Sequence, residues 1–311
     1  MVCNVLVSTE SMSHPDWLRW RNEGIGGSNA SVVCGMNKYK SPVELWMEKT
    51  GMIEPKEAGE AAYWGTMLEP LVRDEFSKVT GLVVETRKAI LQHPKHPFML
   101  ANLDGIVHDP IHGECVFEAK TSSAFRKDEW EFGIPDEYFL QVLHYMAVTG
   151  FNGAYIAVLI GGNQFKWKFI ARDQELIDMI IKLEKSFWDH VRDNTPPPLD
   201  GTEASADLLS RLYPDSIPQS QITLPNEALR LIQHYEEYHE KEKLLVEEKE
   251  LVTNQLKDML KGNETGIIGN RVVTWKSIQS ERLNTKKLKE EMPDIHEKYV
   301  SVSSYRRFTI K

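Results

Sequence analysis

The stretch "VFEAKTSS", Val116–Ser123, decides the fold. Its apolar and β-prone residues predict a strand, and side chains on a strand alternate between faces. Glu118 and Lys120 therefore point one way, Phe117 and Ala119 the other. The plain reading of such a pair is a surface ion pair, which contributes little to stability. Upstream, however, "LANLDGIVHD" (Leu100–Asp109) is a second apolar run in which Asp104 stands just before a glycine. Two carboxylates on neighbouring strands can share a hard divalent cation, and a backbone carbonyl such as that of Ala119 is a natural further ligand. Mg²⁺ prefers oxygen ligands and keeps several waters. Such an ion lowers the pKa of a bound water and screens charge building on a phosphate. Lys120 beside it can hold the water and stabilise an anionic transition state. The set suits phosphodiester hydrolysis with no covalent residue.

Around this centre the chain reads as a mixed α/β unit. "SHPDWLRWRNE", "SNASVVCG" and "SPVELWMEKTG" each open on serine and predict short helices. "WGTMLEPLVRDEF" (Trp64–Phe76) belongs to a longer amphipathic helix. Strands are expected over "LVVETRKAIL", "FMLANLDGIV" and "ECVFEAKTS". The helix "PDEYFLQVLHYMAVTG" follows, then a hairpin turned at Gly161-Gly162-Asn163 and a closing helix. Three units are expected: a core over residues 1–193, a proline-rich linker or strap over 194–225, and an appendage over 226–311. The appendage begins with a long helix, since residues 226–261 contain neither Gly nor Pro. In it Leu231, Tyr235, Tyr238, Leu245, Val252, Leu256 and Met259 fall on a 4-3 seam interrupted by Glu242 and Lys249. A small hairpin, a helix and a last strand "YRRFTIK" complete it.

With 41% hydrophobic and 27% charged residues over 311 positions, the composition is that of a soluble globular protein with room for a sizeable core. The net charge of −9 argues against non-specific nucleic-acid binding, yet residues 271–311 alone carry a net charge of +5. Acidic sites that hold cations also lower the sum without repelling phosphate once loaded. Cys3, Cys34 and Cys115 are odd in number and lack metal-ligand spacing, which points to a reducing cytoplasm. No signal peptide or membrane span is expected. His108, His112 and Cys115 flank a turn, but without a fourth ligand they make a poor zinc site.

Five segments in order resemble the motifs of the YqaJ-type viral recombinase nucleases, relatives of phage lambda exonuclease in the PD-(D/E)xK superfamily. They are "RNEGIGGSNASVVCGMNKYKSPVELWMEKTG", "WGTMLEPLVRDEF", "LDGIV", "FEAKTS" and "QVLHYMAVTG". One departure is Asn29, where the family often has Asp. The resemblance implies a restriction-endonuclease-like core: a central mixed β-sheet flanked by helices, with the long helix and a small α+β appendage after it.

By residue, it implies Asp104 and Glu118 as metal ligands with the Ala119 carbonyl, and Glu69 reaching the same metals from its helix. Lys120 would be the catalytic lysine, with Gln141 also catalytic and Tyr145 lining the site. Arg21 and Ser28 would hold a DNA 5′-phosphate, with the "GIGGS" amides assisting as an anion cradle. The implied cofactor is Mg²⁺, two ions per site, with Mn²⁺ as a substitute. The implied activity is that of an alkaline-exonuclease-type deoxyribonuclease. It digests linear duplex DNA 5′→3′ and leaves 3′ single-stranded tails for single-strand-annealing recombination. The implied partners are double-stranded DNA ends, a RecT-type annealing protein and further copies of the chain in a ring-shaped trimer. The setting is the cytoplasm of a bacterial host if the chain is phage- or prophage-encoded. The alternatives are an endonuclease of the same fold, which would cut circles, and a non-catalytic module that binds DNA ends or a partner. Against the last, unpaired carboxylates facing phosphate would only weaken binding.

Overall fold

A computed structural model describes residues 3–56, 59–302 and 304–310. In chain order the first elements are β1 (Asn4–Ser8), α1 (His14–Asn22), β2 (Ile25–Gly26), α2 (Gly27–Val33), α3 (Pro42–Lys49) and α4 (Glu60–Thr80). Strands β3 (Val84–Glu85), β4 (Ala89–Gln92), β5 (Met99–Ala101), β6 (Gly105–Asp109) and β7 (Gly113–Ser122) come next. After them run α5 (Lys127–Glu131), α6 (Asp136–Thr149), β8 (Gly153–Ile160), β9 (Gln164–Ala171), α7 (Gln174–Arg192) and α8 (Glu203–Leu212). The last elements are α9 (Glu227–Leu260), β10 (Thr265–Ile268), β11 (Arg271–Thr274), α10 (Thr285–Glu291) and α11 (Pro293–Tyr299). The chain divides into two compact units, Met1–Leu212 and Tyr213–Lys311.

Among the described residues, the first unit is built on a sheet ordered β3-β6-β7-β8-β9 and a smaller one ordered β1-β4-β5-β2. β7 pairs antiparallel with β6 and parallel with β8, so the larger sheet is mixed, as expected. Helix α6 supplies the crossover that a parallel pair requires. The sheet is covered on both faces. Val72 and Phe76 of α4 pack with Phe117, Tyr155 and Ala157 on one side. On the other, Val142, Leu143 and Met146 of α6 pack with Val116, Ile156 and Val158. That sandwich explains why β8 reads as an almost unbroken apolar run. The β8–β9 hairpin turns where expected, with Gly161 and Gly162 both at positive φ.

Three expectations are corrected. "LVVETRKAIL" and "FMLANLDGIV" are not single strands: each splits, and the halves join different sheets. Periodicity alone does not show such a split, because it depends on which distant strand each half pairs with. The stretch 194–225 contains α8, which is capped by Thr202 Oγ1 accepting from the Ser205 N–H. It is fixed by buried Ala204 and Leu208 and by an Arg211–Glu44 ion pair of 2.7 Å. No strand forms over 305–310 among the described residues; Lys311 lies outside them. A lone extended segment without a hydrogen-bonded neighbour has no independent stability. In the second unit, β10 and β11 pair through Gly269-Asn270, with Gly269 at φ 57° as a first-position glycine of a tight hairpin requires.

Candidate active site

Asp104 sits where the chain leaves one sheet for the other, between β5 and β6. Gly105 pairs with Phe117, so Asp104, one residue earlier, comes level with Glu118 on β7. Its Oδ2 accepts a 2.8 Å hydrogen bond from the Ala119 N–H. The following glycine is required by space, since a Cβ there would stand 2.5 Å from Val84 Cγ1.

Glu118 is buried, and its Oε1 accepts from Lys120 Nζ and from Gln141 Nε2, both at 2.6 Å. Lys120 Nζ also donates to Gln141 Oε1 at 3.0 Å and lies 4.7 Å from the centroid of the Tyr138 ring. Gln141 Nε2 donates onward to Tyr145 Oη at 3.1 Å. One face of α6 delivers Tyr138, Gln141 and Tyr145, at the three- and four-residue steps that line a helix.

Burial, and then the facing Asp104, push the Glu118 carboxyl up to about 8. Burial raises Asp104 as well, and burial with Asp104 raises Glu69. Burial also opposes the charge of Lys120, but Glu118 and Asp104 outweigh it and hold Lys120 above its ordinary value. Lys120 is thus an ammonium at neutral pH, a donor rather than a base.

Two observations bear on whether a cation fits. Glu118 Oε2 is buried without a partner, although buried polar atoms are normally paired. The neighbouring donors are all oxygen, the preference of Mg²⁺. Asp104, Glu118 and the Ala119 carbonyl therefore suit a hard divalent ion. Glu69 is held apart from them. It accepts from Arg73 at 3.1 Å, and Arg73 also reaches the Asp104 carbonyl at 3.5 Å. Among the described residues no three His, Cys, Asp or Glu side chains form a ready-made metal cluster. The Arg73 contact engages Oε1 of Glu69.

A second locus adjoins the first. Arg21, in the last turn of α1, donates to Ser28 Oγ at 2.8 Å, and its guanidinium carbon lies 4.5 Å from the Trp17 ring centroid. Burial lowers its pKa, and no carboxylate pairs with it among the described residues. Beside it is a small cavity lined by Gly26, Gly27, Leu100, Asn102 and Tyr145. Gly27 has to be glycine, because a Cβ would stand 2.4 Å from Tyr145 Cε1. Tyr145 is therefore the wall shared by the two loci. Asn102 was not foreseen from the sequence: its Oδ1 is buried and unpartnered in this cavity. A polar side chain inside the apolar run "MLANLD" was the available signal. Two larger clefts, of about 420 and 630 Å³, lie against Cys3 and His112 and against Trp20 and Trp188, and neither contains the acid pair.

Lys49 is a further residue that the sequence reading passed over. Its Nζ donates to the Arg21 carbonyl at 2.8 Å, while Asn22 Nδ2 donates back to the Lys49 carbonyl at 3.5 Å. The two contacts tie the end of α1 to the end of α3. Burial, and then Arg21, pull the Lys49 ammonium down to about 7. An unfolded lysine titrates near ~10.4, so between about 7 and 10 the unfolded chain holds a proton that the folded one lacks. Stability then rises with pH across that window. We predict that thermal melts of the wild type and Lys49→Met diverge in the wild type's favour from pH 6.5 to 9.5. A constant difference would remove the buried ammonium from the account.

The comparisons come from three directions. A family model described as a YqaJ-like viral recombinase domain matches residues 16–152, which include Arg21, Ser28, Glu69, Asp104, Glu118, Lys120, Gln141 and Tyr145. The uncharacterized protein YqaJ of Bacillus subtilis (strain 168) is 43% identical over 99% of this chain and 97% of its own length. The chain belongs to the YqaJ family. Among solved structures, this YqaJ-family chain is similar to an alkaline exonuclease from Laribacter hongkongensis. The two are 23% identical with a TM-score of 0.49, over 58% of this chain and 93% of that one. A phage-related exonuclease from Haemophilus somnus 129PT is similar at 16% identity and a TM-score of 0.45, over 55% of this chain and 96% of that one. No helix among the described residues of this YqaJ-family protein is long and apolar enough to cross a membrane.

Proposed function

We propose that the protein is a metal-dependent deoxyribonuclease that digests linear duplex DNA from its ends, 5′→3′, leaving 3′ single-stranded tails for annealing recombination. The carrying observation is the buried Glu118–Lys120–Gln141 network facing Asp104, with one carboxylate oxygen left unpartnered. Membership of a family described as viral recombinases supports the recombination setting. The reading includes Mg²⁺, two ions per site with Mn²⁺ as a substitute, and action in a bacterial cytoplasm. It also includes a ring-shaped trimer around the duplex and a RecT-type single-strand annealing protein that takes up the tail.

In this reading Asp104, Glu118 and the Ala119 carbonyl hold the ion, and Glu69 contributes from its helix. The bound ion supplies Lewis acidity toward the phosphate and a more acidic water. Lys120, kept cationic by its two acids, donates to the attacking water and to the phosphate as its charge grows. Gln141 fixes Lys120 and Glu118 relative to each other, so little reorganisation accompanies the reaction. Arg21 and Ser28, with the backbone amides of the "GIGGS" stretch, receive the 5′-phosphate of the strand being digested, and Asn102 lines the cavity beside them. An uncompensated half-buried guanidinium is the partner an anion wants, and Asn102 can meet the phosphate only through its amide N–H groups, since its buried Oδ1 is an acceptor.

The test compares linear and covalently closed duplex of one sequence, with Mg²⁺ or with EDTA. Loss of the linear form alone, and only with Mg²⁺, is expected. Cutting of the circle would favour the endonuclease reading. Binding of ends without cutting under either condition would leave a non-catalytic module.

A further inference from the structure

The seam of α9 is largely open to solvent, from Leu256 at 39% exposed to Met259 at 76%, with Phe308 packed edge-on against Tyr235 at its N-terminal end and the stretch from Tyr238 to Met259 carrying the rest. Its opposite face is charged, with Glu236, Lys243, Glu250 and Lys257 in succession. A strip of this length, apolar at alternating three- and four-residue steps, is the pattern of a helix that pairs with another helix. We propose that α9 pairs antiparallel with α9 of a second copy of this chain.

The two charged interruptions select that partner and that direction. Glu242 and Lys249 both occupy seam positions, seven residues apart. In a parallel, in-register pair each would face itself, placing Glu against Glu and Lys against Lys inside an apolar interface. Like charges there are strongly disfavoured. Turned antiparallel and centred level with Glu247, the same seam closes on itself. Tyr235 then layers with Met259 of the second copy, Tyr238 with Leu256, Glu242 with Val252, and Leu245 with Lys249. Glu242 of one helix comes within about 4.5 Å, along the axis, of Lys249 of the other. The twofold axis makes that contact twice. The layers run from residue 235 to 259 and occupy about 36 Å of helix, so both tyrosines are covered as well as the aliphatic residues. The pairing rests on α9 alone and is independent of what the core catalyses.

Light scattering on the full chain reads the mass. The wild type is expected at an even multiple of its 35.7 kDa chain, and Leu245→Glu is expected at half that mass for a monomeric core or for the trimeric core proposed above. Since Leu245 is 65% exposed in the single chain, the substitution leaves the fold alone. Glu242→Lys should also halve the mass by setting Lys against Lys, and adding Lys249→Glu should restore it. Direction is read by cysteine pairing over the wild-type background. A mixture of Tyr238→Cys and Leu256→Cys proteins should cross-link between the two variants, and neither should cross-link alone. A wild-type mass unchanged by Leu245→Glu would overturn the pairing and give the seam to another partner. A Tyr238→Cys protein that cross-links to itself would overturn the antiparallel direction.

Discussion

Asp104→Asn is expected to slow digestion of linear duplex at least about 10³-fold, a loss of roughly 4 kcal/mol of transition-state stabilisation. The reason is local. The carboxylate level with Glu118 supplies one of two charges that would hold the ion, and the amide supplies none. The fold should survive, because the asparagine carbonyl can still accept from the Ala119 N–H that now bonds Asp104 at 2.8 Å. Glu118→Gln is expected to match it, since the glutamine oxygen can still accept from Lys120 or Gln141. Lys120→Ala should lose hydrolysis while still binding duplex, measured by fluorescence anisotropy in Ca²⁺. Initial rates and thermal melts on the same preparations separate chemistry from folding. An Asp104→Asn protein that digests at the wild-type rate would mean the site has been put in the wrong place.

Wild-type protein is expected to digest 5′-phosphorylated linear duplex roughly 10- to 100-fold faster than 5′-hydroxyl duplex, the range expected for a charge-assisted contact. Arg21→Ala should erase the preference by slowing the phosphorylated substrate and sparing the other. Among the described residues no carboxylate pairs with Arg21, whose guanidinium donates to Ser28 Oγ and lies over the Trp17 ring. A terminal phosphate brings more charge than an internal diester and no continuing chain to clash with Tyr145. Anchoring it would place the neighbouring bond over the acids, and such placement can account for much of an enzyme's rate. Equal wild-type rates on the two ends would remove the phosphate pocket, and with it the residue-level reason for 5′→3′ travel.

Strand β7 was legible because its information is local: alternation along Val116–Ser123 puts Glu118 and Lys120 on one face whatever surrounds them. Gln141 and Tyr145 came from the family resemblance, and the step of a helix added only that they share a face. What was not legible depends on partners distant in sequence. Asp104 reads as the end of one strand, yet it is the joint between two sheets, and only pairing with β4 and β7 reveals that. His144 and Glu184, forty residues apart, form a fully buried pair at 2.7 Å, and no local pattern announces it. Glu69 shows the limit of resemblance: its place on α4 is as expected, but its carboxylate is engaged by Arg73. α8 was hidden by its surroundings: it is amphipathic, but it is short and stands between proline-bearing stretches on both sides.

The joint at Asp104 has a mechanical consequence. Asn102, which lines the cavity beside Arg21, and Asp104, which lies level with Glu118, are next-but-one neighbours on a single chain. Their separation cannot exceed about 7 Å. It is set by covalent bonds, not by the packing of two movable parts. Just upstream, His144 Nε2 clamps the Leu100 carbonyl at 2.8 Å, so the segment is anchored as well as short. Motion elsewhere in the core can tilt this segment as a whole but cannot stretch it. On the proposed reading one wall of the end-binding cavity and one ion-holding acid keep the same spacing through every turnover.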